Sequence, residues 1–403
     1  MRVLIADAFP ERYLDDLRSL GIEVAYDPGA TTESLPDKAK DVHILVVRST
    51  KVDRKTISAA KDLGLILRAG AGYDTIDVAA ASERGIYVAN CPGKNAVAVA
   101  ELAFGLMLAI DRRIPDGTAD LRRGAWNKKE YSKADGLKGR TLGVVGLGSI
   151  GLSVVSRAQA FEMNVIAYSR SLTEARAEEL GVGFCKTLVE LAEKSDIVSV
   201  HLAQTKETKG LFNAEFFAHM KPRAMFINTS RGGLHDEAAL IAAMKERGIR
   251  AGLDVFANEP AGGTAQGLKD EIYSLPGLVG THHIGASTEQ AQDAIAAEAI
   301  RICREYVATG RPPNVVNIEA HAPAMCELVV RHYDKVGVLA QVLGIIRKYG
   351  INVADMTNTI FQGSKAAVAA IRIADQPSAE LLAEIAALED MVIQVEAKKL
   401  QAT

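Results

Sequence analysis

Three kinds of polar residue follow apolar runs in the second half of the chain, where they could do chemistry. Arg231 follows the apolar run of FINTSRGG, and Glu259 closes GLDVFANEP. His282 and His283 stand side by side in GTHHIGAST. Hydride transfer to a 2-keto acid needs a cation for the carboxylate, a proton donor for the new hydroxyl and a group that keeps this donor protonated. An arginine, a histidine and a glutamate fit these three roles.

The two adjacent histidines cannot both serve one ligand. Neighbouring residues of an extended segment point to opposite faces, so at most one of His282 and His283 faces a given site. Each candidate taken alone also fits a structural role, as a capping arginine, a surface Glu-Pro turn or a core histidine. Their shared position at strand ends, the edge where open α/β sheets bind ligands, favours a functional interpretation.

The segment GVVGLGSIG has the spacing of a dinucleotide-binding loop. Gly146, Gly148 and Gly151 form G-x-G-x-x-G after an apolar strand and before a helical pattern. The first glycine permits a tight turn, the second lets the backbone approach a pyrophosphate, and the third lets helix and strand pack closely. A tight turn without a ligand is the alternative, but the position within a series of β–α units favours dinucleotide binding.

The end of the next strand bears on the choice of cofactor. About 20 residues after the glycines, NAD sites usually place an acidic residue on the ribose 2′-hydroxyl. This chain has Ser169 and Arg170 there. A 2′-phosphate would not be repelled, and Arg170 could pair with it. We therefore expect NADP(H) rather than NAD(H); the alternative is NAD use with a solvated Arg170.

The elements that must position these residues alternate along the chain. Residues 1–90 alternate short apolar runs with helical patterns, and a second such series begins at GRTLGVVGLGSIG. This alternation predicts parallel sheets with helices on both faces. The segment NAVAVAELAFGLMLAIDRRI is too apolar for a surface helix, so we expect it to be buried between domains or subunits. After the linker RPPNVVNIEAHAPAM, the order strand, helix, strand, strand, helix, strand predicts a small α+β unit.

Composition excludes several classes of protein. The 403 residues contain 47 Lys and Arg against 50 Asp and Glu, a net charge of −3, which points to no nucleic-acid or membrane partner. The four cysteines are scattered, which predicts neither a metal site nor a disulfide scaffold and suits a reducing compartment. No apolar stretch approaches the ~20 residues of a transmembrane helix, and the N-terminal MRVLIADAF predicts a strand, not a signal peptide. We expect a cytoplasmic protein.

Together these motifs resemble the D-isomer-specific 2-hydroxyacid dehydrogenases. GLGSIG, NTSRGG, GLDVFANEP, THHIGAST, RAGAGYDTID and NAVAVAELAFGLML carry the resemblance, which covers residues 1–315. It implies that Arg231, Glu259 and His283 are the catalytic residues of an NAD(P)-dependent oxidoreductase. The family usually has T-P-H-I-G where this chain has T-H-H-I-G, so His282 takes the proline position and is the bystander.

The resemblance also implies the fold and the binding residues. The fold class is α/β, with two doubly wound parallel-sheet (Rossmann-like) domains and a C-terminal βαββαβ domain. The implied domains are 1–97 with 286–312 for substrate, 98–285 for the dinucleotide, 313–325 as a linker and 326–403 at the C-terminus. Besides the glycine loop, Ser169 and Arg170, the implied cofactor contacts are Ser149, Ile150, Thr229, Asp254 and Gly285. The implied substrate contacts are Arg48, Ser49 and the backbone amides of Gly70, Ala71 and Gly72.

The C-terminal segment HYDKVGVLAQVLGIIRKYGINVADM resembles the ACT domain, an amino-acid-sensing module. In this family such a domain implies a phosphorylated three-carbon 2-hydroxy acid as substrate, in serine synthesis, and serine as a possible effector. The implied effector contacts are His332, Asp334 and Asn352. The chain departs from the usual pattern at Asp334, where asparagine is common, and at Val336, where proline is common. These residues could instead only cap strands and stabilise a dimeric sheet.

Two other functions stay open at this point. One is an NADPH-linked reductase of glyoxylate or hydroxypyruvate that carries an ACT domain, suggested by Ser169 and Arg170. The other is a non-catalytic, dinucleotide-sensing scaffold or corepressor on the same fold. The apolar helix at 95–113 and the edge strands of the C-terminal domain predict a homodimer or homotetramer.

Overall fold

The computed structural model describes residues 1–260, 265–319 and 324–400. The chain forms two compact units, Met1–Asn317 and Ile318–Thr403. The first unit contains two parallel sheets, and the second contains one antiparallel sheet. Residues 320–323 of the predicted linker and residues 401–403 of the predicted C-terminal domain lie outside the described residues.

The first sheet has five parallel strands in the order β2-β1-β3-β4-β5. Its strands are β1 (Arg2–Ile5), β2 (Glu23–Tyr26), β3 (Ile44–Val47), β4 (Leu65–Arg68) and β5 (Tyr87–Asn90). The helices between them are α1 (Arg12–Ser19), α2 (Leu35–Lys38), α3 (Arg54–Ala59) and α4 (Val78–Glu83). The central strands are continuous apolar runs because helices cover both faces of the sheet, so neither face can be polar.

The second sheet has seven parallel strands in the order β12-β11-β10-β9-β6-β7-β8. Its strands are β6 (Thr141–Val145), β7 (Asn164–Tyr168), β8 (Gly183–Phe184), β9 (Ile197–Val200), β10 (Met225–Asn228), β11 (Arg250–Leu253) and β12 (Leu278–Gly280). The helices of this part are α5 (Ala96–Arg112), α6 (Ile114–Arg122), α7 (Lys128–Tyr131), α8 (Ser149–Ala160), α9 (Glu174–Glu179), α10 (Leu188–Lys194), α11 (Ala214–His219) and α12 (Glu237–Arg247). Strand β8 was not predicted, because two residues are too few for a periodic pattern.

The apolar helix α5 packs onto the second sheet. Its Ala103, Met107 and Ile110 share a core with Val144 of β6 and Ile227 of β10. The helix is apolar beyond one stripe because the sheet and α8 both contact it. Its burial within the described residues is therefore explained by the second sheet.

The chain returns to the first sheet through the long helix α13 (Glu289–Thr309). Ile295 and Ile302 of α13 pack in one core with Val3 and Leu67 of the first sheet. The segment that follows is also attached there: Val315 bridges to Ala89, and Asn317 accepts the N–H of Val88 at 2.8 Å. The start of the predicted linker 313–325 thus lies on the edge of the first sheet, and the first unit extends to Asn317.

The C-terminal unit has four antiparallel strands in the order β14-β15-β13-β16, with two helices. Its elements are β13 (Cys326–Tyr333), α14 (Val338–Lys348), β14 (Val353–Ile360), β15 (Ala366–Ile373), α15 (Ala379–Ala386) and β16 (Val392–Lys399). Alternate residues of the strands pack with both helices in one apolar core. The predicted fold class, two Rossmann-like parallel sheets followed by a βαββαβ unit, is confirmed.

Candidate active site

In the loop between β6 and α8, protein atoms pack against the first and third glycines, whereas the space beside the middle glycine is open. A Cβ on Gly146, whose φ is 94°, would collide with the carbonyl of His201, and one on Gly151 would collide with the carbonyl of Gly146. A Cβ on Gly148 would meet nothing within 4 Å. Gly148 caps α8, a helix of 12 residues. A helix N-terminus behind an open glycine backbone is a cradle that fits a pyrophosphate.

Ser169 and Arg170 lie where the second strand of this motif ends. They follow Tyr168, the last residue of β7, and the side chain of Arg170 is exposed. After the hydrogen bond from Thr205, the charge of Arg170 contributes to lowering the pKa of Glu207. A carboxylate within electrostatic range of Arg170 therefore comes from the segment after β9, not from the end of β7.

Thr229 offers the same edge an unused hydroxyl. It follows β10, and its Oγ1 is buried without a hydrogen-bond partner among the described residues. A buried hydroxyl of this kind leaves a hydrogen bond for a ligand to make. Ser149 and Ile150 open α8 beside the glycine loop, and Ser149 lies next to Gly93 of the segment before α5. These residues fit a dinucleotide along the carboxyl edge of the second sheet.

Asp254 has a positioning role in the structure, and its predicted contact with the cofactor stays a prediction. The residue is 1% exposed. One carboxylate oxygen accepts the hydroxyl of Thr281 at 2.6 Å and the N–H of Ile284 at 2.8 Å, and the other accepts the N–H of Gly285 at 2.8 Å. The carbonyl of Asp254 accepts the N–H of His283 at 2.8 Å. Asp254 and Gly285 therefore fix the turn that carries His283.

His283 and Glu259 form a hydrogen-bonded pair. Nδ1 of His283 donates to Oε2 of Glu259 at 2.7 Å, and Oε1 accepts the N–H of Phe256 at 3.1 Å. Burial raises the pKa of Glu259, but the hydrogen bond and charge of His283 and the N–H of Phe256 outweigh burial and lower it. Glu259 is thus an ionised acceptor that holds the Nδ1 proton and leaves Nε2 for a ligand.

The two neighbouring histidines differ in backbone as well as in partner. His283 has a φ of 54°, a left-handed conformation that costs free energy for a residue with a side chain. The bonds to Asp254 hold it there. His282 is exposed and lies outside the pair.

Arg231 reaches from the second sheet to a loop of the first. Its Nη2 and Nε donate to Asp74 at 3.0 Å and 3.3 Å, and its Nη1 donates to the carbonyl of Ser230 at 2.7 Å. A Cβ on Gly72 would collide with this guanidinium, which therefore lies directly against the loop. The structure thus brings the predicted catalytic arginine and the predicted substrate loop together.

Only part of the Gly70–Gly72 loop is free to bind substrate through its amides. Asn90 donates through Nδ2 to the carbonyl of Ala71 at 2.6 Å and so fixes the loop to β5. The N–H of Gly70 donates to the carbonyl of Arg68 at 2.8 Å, which corrects the expectation that all three amides face the substrate. In the described part of the chain, the amides of Ala71 and Gly72 make no such bond and stay available.

Sequence reasoning missed Arg68, the last residue of β4. A Cβ on Gly70 would collide with its guanidinium, and its Nε is buried without a hydrogen-bond partner among the described residues. Burial, and next the charge of Arg231, lower the pKa of Arg68 to about 10. The residue opens the motif RAGAG, but no sequence pattern separates a strand-end arginine that binds a ligand from one that faces water.

Arg48 and Ser49 follow β3 at the same edge. Their backbone N–H groups donate to Oδ2 of Asp7 at 2.7 Å and 3.1 Å, so the backbone of this turn is already bonded. The side chain of Arg48 is half-buried, and its charge adds to the lowering of the pKa of Arg68, after burial and Arg231. Arg48 can therefore act through its guanidinium, whereas Ser49 is exposed.

A buried amide, also missed from the sequence, fixes the turn that carries Arg231. Oδ1 of Asn228 accepts the N–H of Ser230 at 2.9 Å. Its Nδ2 donates to the carbonyl of Arg231 at 2.9 Å and to Nδ1 of His235 at 3.1 Å. Burial lowers the pKa of His235 to about 4, so its ring is neutral and can accept this bond. Asn228 and His235 are therefore positioning residues for Arg231.

Of the predicted effector residues, His332 is buried and occupied. Its Nδ1 lies 2.8 Å from the carbonyl of Tyr333, and its Nε2 lies 3.0 Å from Oδ1 of Asn358. Both ring nitrogens are thus engaged within the C-terminal unit.

Asp334 and Asn352 do not join His332 in one chain. The N–H of Asp334 donates to Lys365, just before β15, whereas the carbonyl of Asn352 accepts from Ala374, just after it. Strand β15 has 8 residues, which separates its two ends by roughly 25 Å. Within one chain, Asp334 and Asn352 therefore lie too far apart to contact the same small ligand, and the predicted effector site stays a prediction.

Two further features bear on the kind of site. Within residues 1–260, 265–319 and 324–400, no group of three or more His, Cys, Asp or Glu side chains is arranged to hold a metal ion. The helices of these same ranges include none that is both long and apolar enough to cross a membrane.

Comparison with known proteins identifies the family. The D-isomer-specific 2-hydroxyacid dehydrogenase NAD-binding domain matches residues 104–285. A glyoxylate reductase of Thermococcus litoralis is 38% identical over 326 residues, which are 78% of this chain and 96% of that protein. A D-3-phosphoglycerate dehydrogenase of Methanocaldococcus jannaschii is 43% identical over 321 residues, 79% of this chain and 60% of that protein. The chain belongs to the D-isomer-specific 2-hydroxyacid dehydrogenase family, as its motifs predicted.

Solved structures agree with this assignment. The NAD⁺-bound 3-phosphoglycerate dehydrogenase of Entamoeba histolytica has a TM-score of 0.66 and 29% identity, covering 79% of this chain and 99% of that one. A NADPH-dependent glyoxylate/hydroxypyruvate reductase of Sinorhizobium meliloti, in complex with NADP and malonate, has a TM-score of 0.68 and 30% identity, covering 78% and 96%. This chain spans only 60% to 66% of the length of the curated phosphoglycerate dehydrogenases from two archaea that it matches.

Proposed function

We propose that this protein is an NAD(P)-dependent 2-hydroxyacid dehydrogenase that interconverts D-3-phosphoglycerate and 3-phosphohydroxypyruvate, the reaction of D-3-phosphoglycerate dehydrogenase in serine synthesis. The observation that carries the activity is the His283–Glu259 pair, at the same carboxyl edge as Arg231 and the open glycine cradle. The 43% identity to a relative of that name supports the choice of substrate.

The mechanism follows from what each side chain can donate. When bound, the nicotinamide ring supplies the hydride to C2 of the keto acid, or accepts it in the reverse direction. His283 gives the proton on Nε2 to the carbonyl oxygen during reduction and takes it back from the hydroxyl during oxidation. Glu259 keeps the imidazole oriented through Nδ1 and fixes its tautomer. Arg231 binds the substrate carboxylate and polarises the carbonyl, sharing its donors with Asp74.

Ala71 and Gly72 complete the grip on the carboxylate. Their free amides lie on the loop that touches Arg231, so a carboxylate there meets backbone donors on one side and a guanidinium on the other. Asn90 donates to the carbonyl of Ala71 and Asn228 donates to the carbonyl of Arg231, so both the loop and the arginine are held in position. Pre-positioned donors of this kind stabilise developing charge without reorganisation.

The proposed cofactor is NADP(H) in preference to NAD(H). The support is Ser169 and the exposed Arg170, which replace the acidic residue usual for a free 2′-hydroxyl. Relatives of similar identity bind NAD⁺ in one structure and NADP in another. The nearby Glu207 is a local feature that favours NAD(H).

A second function is favoured by a specific observation. The glyoxylate reductase relative is matched over 96% of its length, so an NADPH-linked reductase of glyoxylate or hydroxypyruvate fits the first unit as well. A non-catalytic scaffold or corepressor fits less well, because it has no use for a proton donor that a carboxylate aligns.

We also propose that the protein works in the cytoplasm as a homodimer or homotetramer. The four cysteines are buried and free, as in a reducing compartment. Trp126 is 81% exposed, and Ile114 and Leu121 nearby are also exposed, which is a surface that a second copy could cover. Light scattering of the purified chain would test the oligomeric state: a monomer at micromolar concentration contradicts this proposal.

Specificity constants test the main proposal. We would measure kcat/KM for 3-phosphohydroxypyruvate, hydroxypyruvate and glyoxylate, each with NADH and NADPH. The kcat/KM for 3-phosphohydroxypyruvate should exceed the values for the other two acids by at least about tenfold. Preference for hydroxypyruvate or glyoxylate would establish the reductase instead, and absence of turnover with all three would favour the scaffold.

A further inference from the structure

The proposed mechanism uses Arg231 but gives its partner Asp74 no task. We propose that Asp74 is a positioning residue for Arg231: it holds the guanidinium so that the fork formed by its two terminal nitrogens faces the substrate. This inference rests on the proposed function, because it adds a residue that acts on that reaction through Arg231.

The first step of the argument concerns the N–H donors of Arg231. Nε and Nη2, which share one edge of a guanidinium, donate to Asp74 at 3.3 Å and 3.0 Å. Nη1 donates to the carbonyl of Ser230, the preceding residue, at 2.7 Å. Among the described residues, these bonds leave one N–H on each terminal nitrogen, and the two point the same way. Such a fork can donate to two oxygens of one 2-keto acid at once.

The second step is that the backbone around Asp74 is itself fixed. The N–H of Ile76 donates to the carbonyl of Tyr73 at 3.1 Å, which closes a turn around Asp74. The N–H of Val52 donates to the carbonyl of Thr75 at 2.9 Å, and Val52 is fully buried. The carboxylate of Asp74 therefore stands on a turn anchored to the first sheet, and it can impose an orientation on Arg231.

The third step is space and charge. A Cβ on Gly72 would collide with Nη2 of Arg231 and would lie 3.0 Å from Oδ1 of Asp74, so this glycine leaves room for the pair. Burial raises the pKa of Asp74, but the hydrogen bond and charge of Arg231, with smaller help from Arg68, outweigh burial and lower it. Asp74 is thus an ionised acceptor, which holds a guanidinium more firmly than a neutral one would.

A double-mutant cycle tests the inference. We would measure kcat and KM for wild type, Asp74→Ala, Arg231→Gln and the double variant, using whichever of the three keto acids the wild type reduces best. Asp74→Ala should lower kcat/KM roughly 10- to 100-fold, because a displaced fork binds the carboxylate and polarises the carbonyl less well. In the Arg231→Gln background, the same truncation should cost less than about threefold, because no guanidinium remains to be oriented.

Two further variants serve as control and as graded test. Asp62, between α3 and β4, is an exposed carboxylate of the same unit, and Asp62→Ala should leave kcat and KM unchanged. Asp74→Asn should lie between wild type and Asp74→Ala, because its amide oxygen accepts one N–H of Arg231 while its amide nitrogen accepts none. If Asp74→Ala does not fold, the same cycle with the isosteric Asp74→Asn decides the proposal.

Three results would overturn the inference and leave the proposed function intact. Equal losses in the two backgrounds would mean that Asp74 acts on the loop or on the substrate without Arg231. A lower KM for Asp74→Ala would mean that Asp74 competes with the substrate carboxylate for the guanidinium. An unchanged kcat/KM would leave Asp74 without any role in the reaction.

The wild-type measurement identifies a failure of the proposed function separately. A preference for hydroxypyruvate or glyoxylate would contradict the proposed substrate, and the cycle on that preferred acid would still decide the role of Asp74. Absence of turnover with all three acids would contradict the proposed function, and with it the inference, since Arg231 would then have no reaction to be positioned for.

Discussion

The first unit, residues 1–317, and the C-terminal unit bring their predicted residues together with opposite success. In the first unit, each candidate follows a parallel strand, so all of them meet at the carboxyl edge of a sheet. In the C-terminal unit, β13 and β14 run in the same direction, because each is antiparallel to β15. Asp334 follows β13 whereas Asn352 precedes β14, so they lie at opposite ends.

This difference shows when residues selected from motifs can be expected to form one site. Strand order and direction decide whether residues distant in sequence converge, and a list of matching residues contains neither. Parallel sheets make convergence almost automatic for residues that follow strands. For the C-terminal unit, the same reasoning needs the pairing of the strands, which the structure supplies.

The largest effect on activity should come from removing the positive charge of Arg231 at the carboxyl edge of the second sheet. Arg231→Gln should lower kcat/KM on the order of 10³-fold, because it removes the charge that polarises the carbonyl and leaves Asp74 beside the substrate. Arg176→Gln, which removes an exposed arginine paired with Glu179, is the control and should stay near wild type. A loss of kcat/KM below about tenfold for Arg231→Gln would contradict the claim that the residues brought together at this edge catalyse the reaction.

The next effect is on stability and concerns a buried charge in the first unit. Glu298 of α13 is 9% exposed; the hydrogen bond from Arg301, opposed by burial and aided by Asn314, lowers its pKa from 4.5 to about 2. Because the folded-state pKa is depressed, its stabilisation is complete above about pH 4.5 and is lost as the pH falls toward 2. The shift corresponds to at most about 3 kcal/mol.

Glu298→Gln should therefore destabilise the protein at pH 7 and approach wild type near pH 2.5. Urea unfolding at several pH values would measure the difference. In the C-terminal unit, Glu384 pairs with Lys348 at the surface, so the free energy of unfolding of Glu384→Gln should stay close to that of the wild type at each pH. If the difference in free energy of unfolding between Glu298→Gln and the wild type does not change with pH, the depressed pKa of Glu298 is contradicted.

A smaller effect is expected at the end of β7. Arg170→Ala should raise KM for NADPH by about tenfold and leave KM for NADH nearly unchanged, because only NADPH carries the phosphate that Arg170 would pair with. Steady-state kinetics with both cofactors would measure this. Equal effects on the two cofactors would refute the 2′-phosphate contact.

The smallest effect is expected from the C-terminal unit. Serine at millimolar concentration should change the rate by less than about twofold, because both ring nitrogens of His332 are already hydrogen-bonded within the C-terminal unit. Initial rates with and without serine would test this, with Asn352→Ala as the matched variant. If serine inhibits the wild type and Asn352→Ala abolishes this inhibition, a second chain completes the effector site. The predicted residues of both units would then form sites.

The proposed catalytic residues could be selected from the sequence because each follows an apolar strand within a motif. The positioning residues could not. Asn228 and His235 are buried polar side chains whose purpose is visible only when the atoms they bond are known. The positioning role of Asp254 was also missed, because motifs record position and not which way a carboxylate turns. Arg68 was missed because a strand-end arginine has no distinctive pattern.

The proposed proton transfer depends on one of two neighbouring histidines. We would measure kcat for His283→Ala and His282→Ala under identical conditions with 3-phosphohydroxypyruvate. His283→Ala should lose ~10²-fold or more, since it removes the proton donor, while His282→Ala should stay within about threefold of wild type. Comparable rates for the two variants would contradict the assignment of His283 and Glu259 as the acid–base pair.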